Sequence, residues 1–197
     1  MDIQVIDISA VMGLCAMVVL TINVLLGMLL STAYKTNPWW KKLPGKWQKI
    51  SINRVHNFTA YLALFLVLLH PLLLLVDAST KFTWAAVFVP LSAPHQKIFV
   101  SLGIIAMYAL VTVIITTQKA VKKKMSFRSW KNIHLVSYAT AMLFIVHGLK
   151  MDPELKDRPT DWLDGEKLLC WACFFMLAAA SFYRVRYNSR KMVEKKV

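Results

Sequence analysis

The chain has 197 residues, 57% of them hydrophobic, and a formal net charge of +14. A chain this apolar suits a membrane, with room for five or six spans of about 20 residues joined by short loops and no room for a soluble catalytic domain of ordinary size. The positive charge is therefore read as membrane sidedness, and no nucleic-acid partner is expected.

In chain order, the apolar segments predict spans over about 5–33, 55–76, 98–117, 129–149 and 168–183. The first segment is not read as a signal peptide. It lacks a basic leader, since Asp2 and Asp7 precede any lysine, and its apolar run is too long. The next loop carries Lys35, Lys41, Lys42, Lys46, Lys49 and Arg54 and no acid. A weaker apolar patch over 82–91 is cut by Pro90 and followed by Pro94, and is expected to lie at an interface without spanning. Between the third and fourth spans lie Lys119, Lys122, Lys123, Lys124, Arg128 and Lys131, again without acid. The last loop is acidic, with Asp152, Glu154, Asp157, Asp161, Asp164 and Glu166. The tail carries Arg184, Arg186, Arg190, Lys191, Lys195 and Lys196 against Glu194. In a five-span chain all the basic segments share one side, which the positive-inside rule makes cytoplasmic. The expected fold is an all-α membrane bundle of the plasma membrane, N-terminus out and C-terminus in. It forms one transmembrane domain over 1–197, with a basic cytoplasmic tail at 184–197. Trp39, Trp40, Trp47 and Trp130 fall at the inner boundary, as an aromatic belt does.

Four of the five histidines lie inside predicted spans. His56 and His70 are 14 apart on the second, and His134 and His147 are 13 apart on the fourth. A single intramembrane histidine is ordinarily a hydrogen-bonded bundle residue; two matched pairs point to function. The pairs are separated by about 21 and about 20 Å along their helices. Both spans run from inside to outside, so His56 and His134 share one depth and His70 and His147 another. Each depth offers one imidazole from each of two helices, as bis-axial ligation of a haem iron requires, and such a centre carries electrons without an open coordination position. A 14-residue step keeps His56 and His70 about 40° apart in rotation, whereas a 13-residue step leaves about 140°. The fourth span is therefore expected to be tilted, irregularly wound or bulged, and Pro71 is a candidate kink in the second.

The segments Arg54-Val-His-Asn-Phe-Thr-Ala-Tyr with Leu-His70-Pro, and Trp130-Lys-Asn-Ile-His134 with Val-His147-Gly-Leu, resemble the ferric reductase-like transmembrane family, over about residues 50–185. The resemblance implies two b haems: an inner one held by His56 and His134, and an outer one held by His70 and His147. It also implies that electrons pass from a separate flavoprotein or a quinol donor, any flavin belonging to that partner, to an extracytoplasmic acceptor such as a protein, ferric iron or oxygen. Many members have six spans and a flavin and nicotinamide domain; here five spans are counted, as though the first were missing. Where some oxidases of the family place an aromatic residue between the haems, Thr140 stands; Phe65, Tyr138 or Phe144 could fill the gap, but lipid contact or core packing is the expected role of each.

Arg54, Arg128 and Lys131 are candidate contacts for inner haem propionates, and Lys97 and Lys150 for outer ones; each also reads as an ordinary loop cation. His95 could meet a propionate or an acceptor, or be an ordinary loop histidine. Cys170 and Cys173 have redox spacing but lie within an apolar span, which favours small packing residues. Met107, Met142 and Met176 read as core. The rival functions are a metal or proton transporter using the four histidines, and a quinol-linked cytochrome b anchor. A transporter would gather its ligands near the midplane instead of splitting them between two depths.

Overall fold

The computed structural model describes residues 4–152, 159 and 161–194. Asp2, Glu154, Asp157, Lys195 and Lys196 lie outside the described residues. Among the described residues five helices are long and apolar enough to cross a membrane: α1 Val5–Leu30, α2 Ile52–Leu73, α3 Lys97–Thr117, α4 Phe127–Lys150 and α5 Gly165–Glu194, the last with its spanning part over Gly165–Tyr187. The protein is a multi-pass membrane protein. A bilayer offers backbone N–H and C=O groups no partner, so each apolar run satisfies them internally as a helix. The helices start where polar residues can take up the first free N–H groups: Gln4 and Asp7 form a reciprocal box at α1, and Ser126 accepts from the Ser129 N–H at α4.

The helix bounds fall close to the expected spans, with one clear difference. The last helix does not stop at 183 but runs on through Glu194, so Arg184 and Arg186 belong to a helix and not to a loose tail. The 82–91 patch does not span. It forms the short helix Trp84–Phe88, capped by Thr83, with Phe82, Ala86 and Val87 buried against the bundle.

Helix α1 runs antiparallel along α2, α3 packs along α4, and α5 leans on α1 and α4. Lipid is as apolar as leucine, so helices associate where small residues let them pack closely. Gly148 lies so near α5 that a methyl group there would stand 3.1 Å from Cys170 Sγ. Cys170 and Cys173 are free thiols buried at this contact. The core includes Leu20, Val67, Ile104, Met107 and Ile145, while Phe58, Phe65, Ile105, Ile115, Phe175 and Phe182 face outward, where lipid would be. Met107 is core as expected. Met142 and Met176 are exposed, because each sits on the outer face of its helix.

Candidate functional site

The four intramembrane histidines meet in two pairs, each joining α2 to α4. The rings of His56 and His134 have centroids 6.3 Å apart at an interplanar angle of 74°. Those of His70 and His147 are 6.4 Å apart at 76°. The two levels are thus near copies of each other. Two metal–imidazole bonds of about 2.0–2.1 Å, with half a ring on either side, set ring centres roughly 6.3 Å apart. The gap at each level is the gap that one metal centre with two axial nitrogens spans.

Three of the imidazoles are held in the same way. His70 Nδ1 donates to the Ser9 carbonyl at 2.6 Å, and Ser9 Oγ donates back to the His70 carbonyl at 2.7 Å. His56 Nδ1 donates to the Asn23 carbonyl at 3.0 Å, and Asn23 Nδ2 donates back to the His56 carbonyl at 2.5 Å and to Thr59 Oγ1 at 2.8 Å. His147 Nδ1 donates to the Phe99 carbonyl at 2.8 Å. A proton held on Nδ1 leaves Nε2 with its lone pair, the form in which a neutral histidine ligates a metal.

A glycine stands four residues beyond each accepting carbonyl. A Cβ on Gly13 would come within 3.1 Å of the His70 ring, one on Gly27 within 3.2 Å of His56, and one on Gly103 within 2.9 Å of His147. Each glycine removes the side chain that would block the imidazole from the carbonyl one turn earlier. On α1 the unit occurs twice, as Ser9–Gly13 and Asn23–Gly27, at the same 14-residue interval as His56 and His70.

His134 differs. Its Nδ1 is buried and has no hydrogen-bond partner among the described residues, and the same is true of the Trp130 indole nitrogen. The two rings stack at 5.2 Å and 17°. The only glycine of α3 is Gly103, beside His147, and the far end of that helix carries Thr116 and Thr117. The irregular winding expected of the fourth span is absent: α4 is an unbroken α-helix. The awkward 13-residue step coincides with different surroundings, since His147 is held to α3 while His134 lies against Trp130 of its own helix. Pro71 falls in the last turn of α2, which ends two residues later.

Around His70 and His147 a cavity of about 1120 Å³, open mouth included, is lined by Gly103, Phe144, Phe82, Val87, Asp152 and Glu166 among others. Lys167 is buried beside it and donates to the carbonyls of Gly148 at 2.9 Å and Met151 at 2.5 Å, tying α5 to the end of α4. Near the other pair, Lys122 Nζ lies 3.8 Å over the Trp130 ring. Arg184 is hydrogen-bonded to the Tyr138 hydroxyl, one turn from His134.

Of the expected accessory cations, Arg54, Arg128, Lys131 and Lys97 are exposed, and Lys150 lies 4.6 Å over the Trp162 ring. His95 is half-buried. Of the candidates for a place between the levels, Thr140 is fully buried, Phe65 is exposed, Tyr138 is held by Arg184 and Phe144 lines the cavity. Sequence reasoning missed Lys167, Arg184 and the carbonyl–glycine units. The units were detectable, since the 14-residue repeat on α1 matches that of the histidines it faces.

Fold and site define an all-helical, multi-pass membrane protein whose intramembrane histidines join two helices at two depths. The chain belongs to the ferric reductase-like transmembrane component family, whose model matches residues 12–145, and its role is electron transfer across the membrane. No curated protein and no solved structure matches the chain. The family match corrects the expected extent of 50–185: it begins inside α1, so the first helix is part of the family region, and it stops two residues short of His147.

Proposed function

We propose that the chain conducts electrons between the two faces of the membrane through two b-type haems, one between His56 and His134 and one between His70 and His147, within a single domain spanning the whole chain. The observation that carries this reading is the pair of near-identical ring separations, 6.3 and 6.4 Å. Ferric reductase-like domains generally bind haem, and the residues here fit one. The glycines clear space beside three of the rings, the Nδ1 bonds leave Nε2 free, and the cavity at His70 and His147 is lined mainly by apolar side chains.

When bound, each haem supplies a one-electron ferric–ferrous couple. The chain does the rest. Two histidines per level would hold each haem, and with both ligands supplied by the chain none would be left for substrate, which suits electron transfer. Ser9, Asn23 and Phe99 fix tautomer and ring orientation through their carbonyls. Apolar side chains line most of the cavity. The basic loops support a cytoplasmic His56–His134 level and an extracytoplasmic His70–His147 level. A separate flavoprotein or a quinol would then donate, with the acceptor on the far side. The transporter reading has less support: among the described residues no group of three or more His, Cys, Asp or Glu is placed to hold a metal.

A pyridine haemochrome assay on protein expressed with ample haem tests the proposal. Two haems b per chain with a low-spin spectrum are expected. No haem would overturn the reading, and one haem would overturn the assignment of one level.

A further inference from the structure

The two levels resemble each other in ring separation and differ in everything around the rings. On the two-haem reading, we propose that the His56–His134 level has the higher reduction potential, so that a single electron on the protein rests at the basic end of the bundle.

Three independent features act in the same direction. The first is the hydrogen bonding of the ligands. An imidazole that donates its Nδ1 proton to a carbonyl becomes a more basic ligand and favours ferric over ferrous iron, which lowers the potential. Both ligands of the His70–His147 level do this, through Ser9 and Phe99. Only His56 does so at the other level, because His134 Nδ1 is buried without a partner.

The second is positive charge, which favours the ferrous form because reduction removes one positive charge from the iron. Arg184 lies beside Tyr138, one turn from His134, and Lys122 sits over Trp130, which is stacked on His134. The loops at this end, residues 34–54 and 118–131, contain no acid.

The third is negative charge at the other level. Asp152 and Glu166 line the cavity around His70 and His147, and carboxylates there favour ferric iron. Lys167 is a full positive charge at the same end, which its hydrogen bonds to the neutral Gly148 and Met151 carbonyls do not cancel, so it offsets part of this third effect. Lys150 is held at Trp162. Tenfold in favour of the basic-end iron corresponds to about 59 mV for a one-electron couple.

The physical consequence concerns direction. An electron entering at the basic end is held there until the acceptor, a second electron or the membrane potential draws it across. An electron entering at the acidic end falls inward unaided.

The test is an anaerobic redox titration of the haem-loaded full chain, followed by electron paramagnetic resonance and visible absorbance. Two waves are expected at least tenfold apart in equilibrium constant. Arg184→Gln should lower the upper wave alone, Arg184→Lys should leave it near its original position, and Glu166→Gln should raise the lower wave alone. Should Arg184→Gln fail to take up haem, Glu166→Gln makes the same assignment from the opposite level. Coincident waves, an upper wave that responds to Glu166→Gln, or a lower wave that responds to Arg184→Gln would each overturn the proposal while leaving two haems in place. Absence of haem would instead defeat the reading beneath it.

Discussion

At the His70–His147 level both imidazoles donate to carbonyls of neighbouring helices, and both approach them across a glycine. At the His56–His134 level one imidazole is held this way and the other lies against a tryptophan with its Nδ1 unpartnered. The ring separations are nevertheless almost equal. The comparison separates two jobs that a histidine ligand needs done. Helix placement brings the rings to the right distance; a carbonyl followed by a glycine four residues on fixes how each ring is turned and how strongly it donates. A bundle can do the first without the second.

The largest break in the comparison should come from the glycines. Gly103→Leu should abolish occupancy of the His70–His147 level, since even a Cβ there would lie 2.9 Å from the His147 ring. Gly103→Ala should weaken haem retention at that level about tenfold, and Gly13→Ala and Gly27→Ala somewhat less, because their contacts of 3.1 and 3.2 Å can relax by a few tenths of an ångström. Haem content after dilution or apomyoglobin challenge measures this. If Gly27→Ala damages the His70–His147 level instead of the other, the carbonyl–glycine account is wrong.

Next in size is Lys167→Met. It removes a charged donor from two buried carbonyls, a loss of about 1.5–3 kcal/mol for a hydrogen bond to a charged group. The expected result is a lower thermal midpoint together with a perturbed His70–His147 signal, read by melting in detergent and by electron paramagnetic resonance. An unchanged midpoint would show that α4 and α5 hold together without the clamp.

A smaller effect is expected from Ser9→Ala. It deletes the bond from Ser9 Oγ to the His70 carbonyl and the 3.1 Å contact of Oγ with His70 Nδ1, but leaves the Ser9 carbonyl that receives His70 Nδ1 at 2.6 Å. About 1 kcal/mol of stability should be lost with little change in potential. Smallest of all should be Arg54→Gln, Arg128→Gln and Lys131→Gln. All three side chains are exposed, where charge interactions are weak and screened. Either wave moving as far as it does in Arg184→Gln would make these residues, and not Arg184, the cations that matter.

The sequence revealed much of this and missed the rest for identifiable reasons. The five spans, their bounds to within a few residues for the first four, and the two histidine levels follow from apolar length and from 1.5 Å of rise per residue. Rotation was harder. The 13-residue step between His134 and His147 predicts a tilted, irregularly wound or bulged span, and α4 is an unbroken α-helix. A step along one helix does not reveal which neighbour each ring will lean on. The exposed basic loop residues drew attention because they are charged, whereas Arg184 and Lys167 were hidden in the numbers of a tail and a loop. Their roles depend on which helix end faces which, and that is set by packing of α5 against α1 and α4.

On the two-haem reading, ligands pair across helices at equal depth. Four single variants, His56→Ala, His70→Ala, His134→Ala and His147→Ala, each reconstituted with haem and examined by electron paramagnetic resonance, test it most directly. His56→Ala and His134→Ala should remove one and the same low-spin signal, and His70→Ala and His147→Ala the other, with the untouched level keeping its own. Loss of one shared signal in His56→Ala and His70→Ala, with the other lost in His134→Ala and His147→Ala, would contradict the two-level arrangement.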